Sequence, residues 1–196
     1  LAIISAISIL TTIAILFTLL TESITFFTRV PLSKFFLSGT WNPTGSSPEF
    51  GIWALIIGTL KITVIATIVA VPIGLGAAIY LNEYASDRSR RIIKPILEIL
   101  AGIPTIVFGF FALTFVTPIL RNLIPNLGEF NSISPGIVVG IMIVPMITSM
   151  SEDAMSSVPD KIREGAFGLG ATKFEVATKV VLPAATSGVV ASIVLG

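Results

Sequence analysis

The chain has 196 residues, 54% of them hydrophobic and only 12% charged, with a mean hydropathy of +0.98. A soluble domain carries about 25% charged residues and at this size leaves much of its surface in water, so the composition points to lipid as the solvent. Twelve Lys/Arg against eleven Asp/Glu leave a net charge of +1 with no basic stripe, which argues against nucleic acid. With no Cys and no His, disulfides, thiolate nucleophiles, zinc sites and Ser-His-Asp triads are excluded, and neither a metal site nor a catalytic site is expected.

A membrane helix needs about 20 mainly apolar residues. The first stretch of that kind is Ala2–Leu20. It is too long for the apolar core of a signal peptide, and no small-residue cleavage motif follows it. Residues 1–21 are therefore expected to form the first transmembrane helix. Residues 22–51 then read as a polar loop, with Trp41-Asn42-Pro43 and Gly45-Ser46-Ser47-Pro48 as turn signals. The next spans expected are Ile52–Leu81, Ile96–Leu120 and Pro135–Met150, and a fifth begins after Pro183 and stops at Gly196. A chain that opens at Leu1 and ends inside an apolar run is expected to be a piece of a longer protein.

The connections carry charge unevenly. Asn82–Pro95 and Ser151–Pro183 together hold eight Lys/Arg, whereas Thr21–Gly51 and Arg121–Ser134 hold three. Short cytoplasmic loops are enriched in Lys and Arg. The first pair is thus assigned to the cytoplasm and the second to the outside. Pro72, Pro104, Pro118 and Pro145 interrupt the apolar stretches. Such breaks survive in lipid where neighbouring helices or cavity water satisfy the freed carbonyls. Glu152-Asp153 is the only close acidic pair and reads as a solvated helix start.

The second cytoplasmic connection is the most structured. Residues 159–183 read PDKIREGAFGLGATKFEVATKVVLP. Pro159 and Asp160 suit a first helical turn. Ile162, Ala166, Phe167 and Leu169 give a short helix with an apolar face, and Gly168 and Gly170 can end it. Thr172 and Glu175 have the spacing of a capping box for a second helix, on which Glu175 and Lys179 stand at i,i+4. A short amphipathic helix on a membrane face needs a partner to cover it.

This segment resembles the EAA loop of ABC importer permeases, E-A-A-x3-G-x9-I-x-L-P. Glu164, Gly165 and Ala166 take the E-A-A positions, Gly170 the glycine, and Val180, Leu182 and Pro183 the final group. Gly165 for Ala and Val180 for Ile are conservative departures. Further pieces resemble the phosphate-permease branch, PstC: FLSGTWNP at 36–43, FGIWALIIGTL at 50–60, VPIGLGAAIYLNEYA at 71–85 and ILEILAGIPTIVFGFF at 96–111.

The resemblance implies an all-α, polytopic membrane protein of the MetI-like ABC permease fold. Residues 52–196 would form the permease domain, with the coupling loop at 159–183 and a further span and a half beyond Gly196. It also implies a multi-pass protein of the cytoplasmic (inner) membrane that imports phosphate in partnership with a PstA-like permease, a PstB-like ATPase dimer and a PstS-like binding protein. In that family the short helix docks on the ATP-binding subunit. The carried-over docking residues are Arg163, Glu164, Gly165, Ala166, Leu169 and Gly170, with an ordinary surface position as the alternative for Arg163. ATP and magnesium would sit on the partner, and no cofactor is expected here, since the chain has no G-x-x-x-x-G-K-[S/T] loop. The chain itself is therefore not expected to be an enzyme.

Candidates for the substrate pathway are Lys61, Thr105, Thr148, Ser149 and Ser151. Lys61 is the one Lys/Arg inside a span, where a charge is costly; the alternative is that it snorkels to the outer interface. The hydroxyls can bind an oxyanion without charge and release it, or can bond their own backbone. A permease for molybdate or sulfate remains an alternative. An ion-coupled secondary transporter would call for buried mid-span carboxylates or His.

Overall fold

A computed structural model describes residues 2–196. The chain forms two compact units, Leu1–Thr59 and Leu60–Gly196. In the first unit, α1 (Ala2–Arg29) is apolar and exposed along its length. Its hydroxyls turn back on the helix: Thr11 donates to the Ile7 carbonyl at 2.8 Å, and Thr12, Thr18 and Ser23 do likewise one turn up. In lipid that is how an isolated span satisfies its polar groups. α1 runs well past Leu20, so the expected loop at 22–51 starts as helix.

α2 (Leu32–Leu37) follows, and then a two-stranded hairpin pairs β1 (Trp41–Asn42) with β2 (Glu49–Phe50), Trp41 opposite Phe50. Aromatic edges hold this cap together. Phe26 meets Phe35 at 5.9 Å and Phe50 at 5.4 Å between centroids, and Trp41 meets Phe50 at 5.8 Å. The Trp53 indole N–H donates to the Phe36 carbonyl at 2.7 Å. Gly51 is required, because a Cβ there would strike the Ser38 carbonyl.

α3 (Ile52–Ile79) continues through a π-helical turn at Tyr80–Tyr84, giving one span, Ile52–Tyr84. In the second unit it packs on α7 (Ile133–Ser156) along a seam of small residues. Ala66, Ala70, Gly74 and Ala78 recur every fourth residue and are buried. On α7, Gly140 lies against Ala66 and Val69, Gly136 against Ile65, and Ile147 against Gly74. A Cβ on Gly140 would lie 2.8 Å from the Val69 Cβ and 2.9 Å from the Ala66 carbonyl oxygen. Small residues let membrane helices approach this closely, and dispersion contacts then hold them. The Thr148 hydroxyl, fully buried, lies 2.8 Å from the Val144 carbonyl oxygen and 3.2 Å from that of Gly74, so it bridges the seam.

The third span departs from expectation. α4 (Asp87–Ala101) is a separate amphipathic helix capped by Ser86, whose side chain accepts from the Ser89 N–H. Gly102-Ile103-Pro104 breaks the chain, and the span itself is Thr105–Leu123. That span consists of α5 (Thr105–Phe111), a π-helical turn at Ala112–Val116, and α6 (Thr117–Leu123). Pro104 has no N–H to continue α4, so Ile96–Ala101 belongs to the helix before it. The buried Thr117 hydroxyl lies 2.8 Å from both the Ala112 carbonyl oxygen and the Ser134 hydroxyl, tying this span to the start of α7.

After α7 come α8 (Asp160–Gly168) and α9 (Lys173–Glu175), then a π-helical turn at Val176–Val181, α10 (Leu182–Ala184) and α11 (Thr186–Leu195). The chain bends by 73° between Lys173–Ala184 and Thr186–Leu195, and this pair is long and apolar enough for a span only when its two halves are taken together. A buried apolar cluster of Ala78, Met155, Val176, Val181 and Val189 unites the inner end of α3 with α7 and α11. The architecture is all-α and polytopic, with four helices long and apolar enough to cross a membrane among the described residues, or five with the bent pair.

Candidate cytoplasmic docking site

α8 is a short helix with a built end. Gly170 has φ of +86°, the one positive φ among the described residues. It closes a Schellman turn in which the Gly170 N–H donates to the Phe167 carbonyl at 2.9 Å and the Ala171 N–H to the Ala166 carbonyl at 3.1 Å. Ala166 and Ala171 both pack on the buried apolar cluster, which supplies the hydrophobic contact of that motif. Thr172 then starts the next helix with the expected capping box. Its hydroxyl accepts from the Glu175 N–H at 3.3 Å, and the Glu175 carboxylate accepts from the Thr172 N–H at 3.1 Å. The Glu175–Lys179 pair closes at 3.0 Å.

One side of this element is left open. Leu169 is 92% exposed, Phe174 67%, Ile162 47% and Phe167 42%. Glu164 is exposed too, and a Cβ added at Gly165, Gly168 or Gly170 would meet nothing within 4 Å. The opposite side is braced by Arg163. Its guanidinium donates to the Met155 carbonyl at 2.6 Å and to the Asn82 side-chain oxygen at 3.2 Å, and stands 3.4 Å from Glu83. The two charged side chains are 16% and 7% exposed. Arg163 therefore joins α8 to the inner ends of both α3 and α7, rather than sitting on an open surface.

A second charge cluster lies nearby on α7. Glu152 is buried and pairs with Lys94 at 2.8 Å and Arg90 at 3.9 Å. Arg90 also donates to the Leu81 and Asn82 carbonyls at 2.9 and 3.2 Å. These carbonyls belong to the π-helical turn that ends α3, where the wider winding frees acceptors. Glu152 lies inside α7, which corrects the reading of Glu152-Asp153 as a solvated helix start. Its burial becomes affordable through cations that α4 supplies. Sequence reasoning missed Asn82, Glu83, Arg90, Lys94 and Glu152 as a group. Their one signal in the sequence is charge density at span ends, which reports sidedness but not which charges pair.

The pathway candidates are scattered. Lys61 is exposed on α3, Thr105 is exposed at the first position of α5, and Ser149 is exposed on α7. Thr148 is held in the α3–α7 seam, and Ser151 is fully buried, its hydroxyl 2.7 Å from that of Ser192 on α11. Among the described residues no hydrogen bond joins any two of the five.

Comparison with known proteins bears on this geometry. Residues 70–196 match the family model described as "Binding-protein-dependent transport system inner membrane component". The chain belongs to this family. It is 38% identical over 164 residues to the probable ABC transporter permease protein YqgH of Bacillus subtilis, covering 83% of this chain and 53% of that protein. It is 36% identical over 182 residues to the phosphate transport system permease protein PstC of Haemophilus influenzae, covering 83% and 57%. The chain thus spans about half the length of the curated relatives it matches. Among solved structures, the inward-facing MetNI methionine ABC transporter matches with a TM-score of 0.55 and 22% identity, over 74% of this chain and 65% of that one. That likeness establishes the MetI-like permease fold. The spans, the family and the fold make this a multi-pass membrane protein.

Proposed function

We propose that the chain is the transmembrane permease subunit of an ATP-driven phosphate importer, coupled through α8 to a separate ATP-binding subunit. The observation that carries the coupling is the two-sided construction of α8. Its open apolar side offers Leu169, Phe167 and Ile162 with Glu164 beside them, while Arg163 fixes the other side to α3 and α7. A protein gripping the open side would move the inner ends of two spans together, since packed elements rock as units. The choice of phosphate draws on the names of the PstC relatives and on the stretches of sequence that resemble that branch.

In this reading a PstA-like permease completes the pathway, a PstB-like dimer binds ATP and magnesium, and a PstS-like protein delivers the anion. This chain contributes no catalytic residue. Lys61, Thr105, Thr148, Ser149 and Ser151 are proposed to line or gate the route, Thr148 and Ser151 doing so only after their present hydrogen bonds open.

The test uses the complete transporter in vesicles, with ATP hydrolysis and phosphate uptake measured together. Glu164→Lys reverses the charge on the open side. Gly170→Pro demands a negative φ where the chain has +86°. Both variants are expected to insert normally and to hydrolyse ATP without uptake. Coupled uptake by both at wild-type rates removes the docking role. Uptake of molybdate or sulfate in preference to phosphate replaces the substrate and leaves the coupling intact.

A further inference from the structure

α4 divides its circumference into three sectors. Arg90, Ile93, Leu97 and Leu100 are half-buried against the rest of the protein. Beside them, Ile92, Ile96 and Ile99 form a stripe that is 56%, 51% and 69% exposed, at the i, i+4, i+7 spacing of one helix face. Charged residues fill the remainder: Asp87, Arg88, Arg91, Lys94 and Glu98. Arg90 and Lys94 are committed to Glu152. Arg88 and Arg91 form no ion pair among the described residues, although Asp87 precedes Arg91 by one turn and Glu98 lies further along the same face.

The position of α4 decides what meets this surface. It begins two residues after the span Ile52–Tyr84 and ends at the three-residue break before the span Thr105–Leu123. It therefore stands at the membrane boundary, on the Lys/Arg-rich side that the positive-inside rule assigns to the cytoplasm. The leaflet there is anionic. Long cationic side chains bordering an aliphatic stripe are suited to a phosphate headgroup above an acyl chain. The stripe holds only isoleucines, without the aromatic anchors that mark protein interfaces.

We propose that Arg88 and Arg91, together with the Ile92–Ile96–Ile99 stripe, form a binding site for an anionic phospholipid of the cytoplasmic leaflet. The guanidiniums take the headgroup phosphate, and the stripe takes the upper acyl chain. The site is independent of the transported substrate.

These 196 residues contain no cysteine, so a single reporter can be placed once any cysteines elsewhere in the transporter are replaced by serine. The complete transporter carrying Ile96→Cys, labelled with bimane, is placed in vesicles of equal phosphatidylcholine and phosphatidylglycerol, with one lipid or the other brominated on its acyl chains. Brominated phosphatidylglycerol is expected to quench in preference by about threefold to tenfold. The preference is expected to vanish in Arg88→Gln/Arg91→Gln and to shrink in about 0.5 M salt, where the screening length falls to a few ångströms. Inorganic phosphate added at constant ionic strength is expected to leave it unchanged, which separates a lipid headgroup from a free anion. Ile99→Cys serves as a second reporter should the first variant fail to assemble. Quenching by neither lipid at both positions means that protein covers the stripe and overturns the proposal. Equal quenching by both lipids, indifferent to the double substitution, overturns it as well.

Discussion

Replacing Arg163 with Met removes the brace between α8 and the spans. Three interactions go at once: the 2.6 Å bond to the Met155 carbonyl, the 3.2 Å bond to Asn82 and the pair with Glu83. The larger consequence is the carboxylate left behind, since the Glu83 side chain is only 7% exposed. Breaking a buried pair from one side costs about 3–5 kcal/mol. The cluster lies near the water boundary, so the lower end applies, about 3 kcal/mol, or roughly a hundredfold in a local opening equilibrium. Hydrogen exchange of the Leu169, Gly170 and Ala171 amides in lipid nanodiscs reads that opening directly, because all three donate within the Schellman turn. Their exchange is expected to rise about a hundredfold in Arg163→Met, while the α3–α7 seam keeps its protection. Arg163→Met/Glu83→Met leaves no orphaned charge and is expected to recover most of the loss. Unchanged protection in the single variant, or a double variant as labile as the single, refutes the brace.

Two further substitutions test the packing and the turn. Gly140→Leu forces a side chain where even a Cβ lies 2.8 Å from Val69, and it should lower the thermal midpoint in detergent by an overpacking cost of about 1–3 kcal/mol or more. Gly109→Leu, where a Cβ meets nothing within 4 Å, should leave that midpoint in place. Gly170→Ala also meets open space, so its whole cost is the left-handed backbone, about 1–2 kcal/mol. Limited proteolysis of the 168–172 segment should report this as faster nicking.

Local chemistry explains which parts of the fold were legible in advance. The capping box at Thr172–Glu175, the Gly170 turn and the apolar runs of α1, α3 and α7 depend on residues within a few positions of one another, so sequence patterns reveal them. The third span was misplaced because Ile96, Leu97, Ile99 and Leu100 continue the apolar run up to Pro104. Only the burial pattern separates the protein-facing part of α4 from its exposed stripe. Glu152 was misread for a related reason. Its burial depends on Lys94 and Arg90, which lie on a different helix, and no local pattern announces such a partner. Arg163 carried two readings in the sequence, and its direction was settled by Glu83, Asn82 and Met155, all supplied by other elements.

The exposed tip at Leu169 gives the most direct access to the central claim, that α8 is a handle gripped from the cytoplasm by an ATP-binding subunit. Leu169→Cys can be assembled with the partner subunits and treated with a short bifunctional thiol reagent, and separately with a membrane-impermeant thiol label applied to one side at a time. The account predicts labelling from the cytoplasmic side alone and a crosslink to the ATP-binding subunit whose yield changes with nucleotide. Labelling from the outer side, or a reactive and accessible cysteine that never crosslinks to that subunit, would contradict it.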